Sequence, residues 1–200
     1  MNQTVANIIK GYLEDCRCDF IDKIAGLVQT VYVNITDGDN KVQKSFPVSC
    51  NVTAEDCKSG LYNDLTPDSK YKTVIYFEDG GVTFNSRQGN FICYTSSLKL
   101  VCWINVPLYM GELCPDGVPC TAAAEIIKKI ICCLPEFPQN VTPFARFFPV
   151  IVSQDIRNNS IFSKYTYNEL QVQYLMYPYD YFALNIKTDF CVCTEDCECT

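Results

Sequence analysis

Residues 71–85 read YKTVIYFEDGGVTFN, and this stretch is the strongest indication of the fold class. Apolar and β-branched residues alternate with polar ones on both sides of Glu78-Asp79-Gly80-Gly81, a period of two that is typical of half-buried strands. Paired glycines between two such runs are typical of a tight turn. The stretch therefore predicts two antiparallel strands joined at residues 78–81.

Further strands are predicted on both sides of this stretch. Residues 31–36 and 41–48 flank an Asp-Gly turn signal, which predicts another hairpin. Residues 91–94 and 98–106 add one or two strands, and the last third of the chain is rich in β-favouring and Tyr residues. Its candidate segments are 148–156, 161–167, 170–177 and 181–192.

Two helices are predicted beside this sheet. Apolar residues recur every three or four positions from Val5 to Val31, which indicates one long amphipathic helix. Residues 122–134 repeat that spacing and end at Pro135. The predicted fold class is therefore α+β, with a long N-terminal amphipathic helix and a second short helix packed on a mainly antiparallel β-sheet.

The chain has 200 residues, which predicts a single domain. Within residues 1–200 we distinguish a helix–sheet–helix core (1–134), an arm rich in proline and aromatic residues (135–149), and a β-rich, Tyr-rich segment that ends in a Cys-rich tail (150–200).

Composition argues against an enzyme. The chain contains no His, which excludes Ser-His-Asp and Cys-His catalytic systems, zincin sites and His-ligated metals. The carboxylate pairs Glu78-Asp79 and Glu195-Asp196 are expected to be solvated, so we predict no catalytic residue. The net charge of −7 argues against a surface that grips nucleic acid.

Two signals disagree about the compartment. Fourteen cysteines and five Asn-X-Ser/Thr triplets are typical of a secreted, disulfide-bonded protein. The first residues after Met1 lack the apolar run of a signal peptide, which favours an intracellular chain with reduced thiols, unless a leader has been removed. No stretch of 18 apolar residues occurs, so no membrane association is expected.

The densest cysteine pattern lies at the C-terminus. Four cysteines within nine residues could bind zinc as a tetrahedral thiolate site, and disulfides or free thiols are the alternatives. Zinc is therefore the one cofactor for which the sequence offers candidate ligands. These are Cys191, Cys193, Cys197 and Cys199.

Other cysteines have structural interpretations. Cys16 lies on the apolar stripe of the first predicted helix and is expected in the core, whereas Cys18 is expected to face solvent. The spacing of Cys93 and Cys102 would allow a disulfide across one hairpin, or two buried thiols.

Aromatic residues cluster in the arm and in the last third of the chain. Core packing explains such residues, and a protein–protein interface is the alternative because aromatics are enriched there. The candidate interface residues are Phe137, Phe144, Phe147, Phe148, Tyr174, Tyr177, Tyr179 and Tyr181.

The order of these features resembles a known class. The predicted leading helix, the strands KTVIYFEDGG (72–81) and LKLVCWIN (98–105), and the proline–aromatic arm resemble the small head–tail connector or tail-adaptor ring proteins of tailed bacteriophages. The Cys-rich, Asn- and Tyr-rich style is most similar to the crAss-like phages of gut Bacteroidales.

The resemblance implies a virion structural protein, assembled in the host cytoplasm into a twelvefold ring at the portal vertex. Its expected partners are other copies of itself, the portal and tail proteins, and double-stranded DNA that passes through without specific binding. A secreted, disulfide-rich binding or adhesion module and a small Cys-ligated metal protein are the alternatives.

Overall fold

The computed structural model of this protein describes residues 1–16, 19–37, 40–50, 63–111, 122–136, 138–142, 145–167 and 169–193. In chain order the elements are helix α1 (Asn2–Asp15), strands β1 (Lys23–Asp37), β2 (Asn40–Ser49), β3 (Thr73–Gln88) and β4 (Phe91–Asn105), helices α2 (Val106–Met110) and α3 (Ala122–Cys133), strands β5 (Gln139–Thr142), β6 (Ala145–Phe147) and β7 (Ile151–Ile156), a 3-10 helix (Asn159–Phe162), helix α4 (Glu169–Gln173) and strand β8 (Tyr179–Cys193).

The strands form one sheet in the order β2-β1-β3-β4-β8-β6-β5. All neighbours are antiparallel except β1 and β3, which are parallel. Strand β8 pairs with β4 along its whole length, and its other edge is shared by β7 and β6. The mixed α/β character with a sheet core agrees with the predicted fold class.

Each face of the sheet packs against a separate core. On one face, α1 and α3 cover Ile75, Phe77 and Leu100, and we call this the helix-side core. On the other face, the 3-10 helix and the residues after it cover Tyr76 and Trp103. We call residues 159–167 the lid, and the core beneath them the lid-side core.

The predicted long helix is only partly confirmed, because α1 ends at Asp15 and residues 23–37 form β1. The three-four spacing of apolar residues continues past the helix, but residues 28–36 are mostly β-branched, which favours a strand. Gly26 allows close packing of the two elements, since a Cβ there would lie 2.3 Å from Oδ1 of Asn7 in α1.

The turn predicted at residues 78–81 is wrong. Strand β3 runs through these residues without reversing, and the chain turns between Gln88 and Phe91 instead. The register of β3 with β4 shifts between Asp79 and Val82, so the two glycines form an irregularity within the strand. Gly80 lies against β4, and a Cβ there would be 2.9 Å from the carbonyl oxygen of Ser97.

The remaining elements agree with the sequence in most places. The first hairpin is confirmed as β1–β2, residues 91–105 form one strand, and α3 matches the second predicted helix. The arm contributes the short strands β5 and β6 to the sheet. Two of the four segments in the last third contain strands, whereas 161–167 lies within the lid and 170–177 includes most of α4.

Substituting Gly80 tests the close contact between β3 and β4. We expect Gly80→Ala to lower the free energy of unfolding by about 1–3 kcal/mol, because the added methyl would overlap the Ser97 carbonyl. Gly11→Ala is the matched control: within the described residues no neighbouring atom lies within 4 Å of the place that its added methyl would take, and the helix should gain up to about 1 kcal/mol. Urea titration followed by Trp103 fluorescence measures both, and equal stability of the two variants would contradict the contact.

Candidate assembly surface

Strand β3 extends beyond both cores. Its residues are buried as far as Glu78 and exposed from Asp79 to Asn85. We call the β3–β4 hairpin at residues 82–96 the tip. On the tip, the side chain of Phe84 is 65% exposed and that of Val82 is 41% exposed. Exposed apolar residues next to each other on one sheet face are typical of an interaction surface.

A row of aromatic residues connects the tip to the helix-side core. Phe84 pairs with Tyr94, Tyr94 with Phe190, and Phe190 with Phe147 across four neighbouring strands. Phe147 is fully buried and its ring stacks on Tyr12 of α1, with 6.3 Å between the ring centroids. The row therefore begins at Phe147 in the core and ends at Phe84, the one member of the row that is largely exposed to solvent.

A second exposed aromatic residue lies on the hairpin of β1 and β2. After Leu27, β1 is paired with β2 and no longer with β3, and we call residues 28–49 the ribbon. Val31, Val33 and Ile35 pack partly against the lid-side core. Tyr32 alternates with them on the other side of the strand and is 66% exposed.

The carboxylate of Glu78 joins the sheet to the lid. Glu78 is buried at the base of the tip, and its Oε1 accepts a hydrogen bond of 2.7 Å from the Tyr165 hydroxyl. The ammonium of Lys164 lies 2.8 Å from Oε1, and that of Lys99, the cross-strand neighbour, lies 3.6 Å from Oε2. A buried carboxylate with these partners holds Lys164 and Tyr165 against the sheet.

The tyrosines around Glu78 stay neutral. Burial, with the nearby charge of Glu78 as the second cause, raises the pKa of Tyr165 well above its ordinary value. Burial likewise raises the pKa values of Tyr76 and Tyr167. Tyr165 therefore acts as a neutral hydrogen-bond donor to the carboxylate at physiological pH.

The lid is bound to the ribbon as well as to the sheet. The backbone N–H of Thr166 donates to the carbonyl oxygen of Ser45 in β2 at 2.9 Å. The Ser45 hydroxyl donates to the carbonyl oxygen of Lys164, also at 2.9 Å. The ribbon is thus held at the middle of its length, where Ser45 faces Tyr32, through the lid by Glu78.

Cysteines near the tip form disulfides. Cys93 of β4 and Cys191 of β8 are cross-strand neighbours, and their sulfurs are joined. Cys193 is disulfide-bonded too. At these positions the structure differs from the expectation of reduced thiols. Cys102, which the spacing allowed as a partner of Cys93, is instead a buried thiol whose pKa is raised by burial.

The zinc site stays a prediction. A sulfur in a disulfide is not a thiolate ligand, and Cys197 and Cys199 lie outside the described residues. Within the described ranges, no group of three His, Cys, Asp or Glu residues could hold a metal ion.

A cleft of about 530 Å³ lies between the end of α1 and helix α3, and it is lined by three cysteines, Phe20 and four charged residues. Cys16, expected in the core, is exposed at the end of α1, because the helix stops before the apolar stripe would bury it. Cys132 is also exposed. Cys18 lies outside the described residues.

The predicted interface residues fall into four groups: exposed, buried, partly buried, and outside the described residues. Tyr177 is 76% exposed, whereas Phe147 is buried in the helix-side core. Tyr174 and Tyr179 contact the Trp103 ring, Tyr181 contacts Phe162, and Phe148 is half-buried. Phe137 and Phe144 lie outside the described residues. The interface role of all eight stays a prediction.

Sequence reasoning missed Tyr32, Val82 and Phe84. Each lies in a strand with period-two alternation, where an apolar residue on the solvent side cannot be told from one on the core side. Tyr32 and Phe84 can be recognised as exposed only when it is known at which residues the two cores end.

Comparison with known proteins adds no assignment. No protein-family model matches this chain, and no curated protein is significantly similar to it. Among the described helices, none is both long and apolar enough to cross a membrane.

Glu78→Gln tests the joint between sheet and lid. We expect the free energy of unfolding to fall by about 1–3 kcal/mol, because the change removes the charge that two partly exposed lysines and Tyr165 share. Glu14→Gln is the control: its ion pair with Lys10 on α1 is solvent-exposed, and a change below about 0.5 kcal/mol is expected. Urea titrations in which the two variants lose the same stability would contradict the role of Glu78.

Proposed function

We propose that this protein is a structural subunit that assembles with copies of itself into a closed ring. The observation that carries the proposal is the exposure of Val82 and Phe84 on the tip and of Tyr32 on the ribbon, three large side chains that neither core covers. Exposed apolar side chains on a sheet are typical of an interaction surface, and contact with another chain would remove these three from water.

The chemistry of the chain supports an assembly role rather than catalysis. The absence of His removes the common acid–base and nucleophile systems. The best-connected ionisable cluster in the described part of the chain, around Glu78, ties the lid to the sheet. The buried tyrosine in this cluster contributes to the packing of the lid on the sheet. Exposed aromatic residues elsewhere are of the type that is enriched in protein–protein interfaces.

The specific form that we propose is a head–tail connector of a tailed bacteriophage, located between portal and tail. This form rests on the resemblance in element order and sequence style. It is physically compatible with the net charge of −7, because an acidic channel wall repels DNA phosphates and lets the duplex slide. The partners would be identical neighbours, the portal and tail proteins, and passing double-stranded DNA.

The mass of the purified protein in solution tests ring assembly. We expect native mass spectrometry and light scattering to give a single integral multiple of the 22.7 kDa chain, with subunit dissociation on dilution. A monomer at every concentration up to the millimolar range would contradict the proposal. An open-ended series of masses would contradict closure.

A second function has one specific observation in its favour. The Cys93–Cys191 disulfide links strands that are 98 residues apart in sequence, and disulfides persist in oxidising compartments. This supports a secreted, disulfide-bonded binding or adhesion module as the alternative.

Alkylation without reductant discriminates between the two functions. The protein is purified without reductant, denatured and alkylated. If the chain matures in an oxidising compartment, we expect the alkylating reagent to modify fewer than its 14 cysteines, and to modify all of them after reduction. Intact mass measures the number of labels, with fully reduced protein as the control. Full labelling without reductant would contradict the extracellular alternative and favour virion assembly in the cytoplasm.

A further inference from the structure

The strands at the two ends of the strand order, β2 and β5, are protected against further pairing. Strand β2, at one end, contains Lys41, Lys44 and Pro47. Strand β5, at the other end, has four residues and lies between Pro138 and Pro143. Charged residues, prolines and short length are the features by which natural proteins prevent edge-to-edge association.

Two inner edges lack this protection. After the pairing of Leu27 with Phe77, β1 and β3 separate, and within the described residues no strand pairs with the sides that they expose. The edge of β1 at residues 28–36 reads VQTVYVNIT, without charge or proline. The edge of β3 at residues 80–88 reads GGVTFNSRQ and has one charge, Arg87.

The composition of these edges favours pairing. Residues 28–36 are almost all β-favouring, and a long exposed edge of this kind adds a strand readily. Both edges are nine residues long, and the exposed backbone of β3 begins where the buried part of the strand ends. Gly81 is satisfied within the chain, since its N–H donates to Oδ1 of Asp79 and its C=O accepts from Nδ2 of Asn2. Beyond it, each edge offers backbone N–H and C=O groups that the other could satisfy.

We propose that residues 28–36 of one copy pair in parallel with residues 80–88 of the next copy. The inference rests on the proposed ring function and names its contact. A second copy is the occupant because the chain already makes this pairing within itself: Lys23, Ile24 and Leu27 of β1 pair in parallel with Val74, Ile75 and Phe77 of β3.

Side chains on the two edges are compatible. Tyr32 lies on the side of the ribbon away from the lid-side core, and Phe84 lies on the helix side of the tip, where it pairs with Tyr94. Pairing between copies brings these two exposed rings to the same face, where aromatic neighbours across strands stabilise a sheet. An uncharged edge opposite one with a single arginine produces no like-charge repulsion.

The contact uses different surfaces of the two copies, which makes it heterologous. A heterologous contact that repeats either closes into a ring or continues as a filament. Each copy offers one β1 edge and one β3 edge, so every subunit in a closed ring satisfies both.

Tyr32→Glu and Phe84→Glu test the contact. We expect each variant alone to raise the concentration for half-maximal assembly by about 10- to 100-fold, because a carboxylate would be buried in an apolar contact. Met176→Glu is the matched control, since Met176 is 64% exposed but lies outside the tip and the ribbon. Native mass spectrometry gives the assembly state, and circular dichroism verifies that each variant is folded.

Mixing the two variants provides the most specific readout. Tyr32→Glu retains an intact β3 edge and Phe84→Glu an intact β1 edge, so an equimolar mixture can form one good contact per pair. We expect the mixture to give 1:1 dimers that do not grow into rings.

Every other result contradicts a specific part of the proposal. A wild-type protein that stays monomeric contradicts the proposed function and this contact with it. If the wild type forms a ring, and if Tyr32→Glu and Phe84→Glu assemble as well as Met176→Glu, only the strand pairing is contradicted. Complete rings from the mixture contradict the heterologous arrangement, and capture of an unrelated extended peptide by wild type without self-assembly contradicts the second copy as occupant.

Discussion

The separation of β1 from β3 after Leu27 is the constraint on which the ribbon and the free edge of β3 depend. Before this point the two strands are parallel neighbours inside the sheet, and after it β1 pairs with β2 alone. Gly26 lies at the irregularity, and its missing side chain lets α1 pack closely at the same place. One local departure from regular pairing therefore creates the ribbon and uncovers one edge of β3.

Glu78 connects these parts of the structure to the packed cores. It is the last buried residue before β3 enters solvent, and it binds Lys164 and Tyr165 of the lid, which in turn bonds to Ser45 of the ribbon. The middle of the ribbon, the lid and the sheet are thus connected through the buried carboxylate of Glu78. The disulfide between Cys93 and Cys191 stabilises the other side of the tip by linking β4 to β8.

Much of the fold could be predicted from the sequence because local patterns specify it. The β1–β2 hairpin, α3 and the strand at residues 91–105 all follow from periodicity and turn residues. The course of β1 could not be predicted in the same way, since its apolar residues fit both a helical and a strand period, and tertiary pairing decides between them. Residues 78–81 have the composition of a turn but lie within a continuous strand, because Gly80 is needed for its approach to Ser97.

The candidate surface was less accessible from the sequence than the fold. Pairing of Cys93 with Cys191 joins residues 98 positions apart, and no spacing rule selects that pair. Tyr-rich composition in the last third suggested an interface, yet Tyr174 and Tyr179 pack on Trp103. The exposed aromatic residues of the tip and the ribbon, Phe84 and Tyr32, lie instead in strands with ordinary alternation of apolar and polar residues. Only the positions at which the two cores end distinguish these residues from buried aromatic residues.

Hydrogen exchange of the backbone amides, measured over a range of protein concentrations, tests the pairing of the two edges between copies most directly. Within residues 28–36 and 80–88, the amides that point away from β2 and β4 should be protected when the protein is concentrated and should exchange rapidly after dilution, because only these amides find their hydrogen-bond partners in the assembly. The amides that alternate with them are bonded within the chain and serve as an internal reference. Residues 98–104, which pair within the chain, should stay protected at every concentration. Rapid exchange of both edges at all concentrations would show that no copy pairs with them.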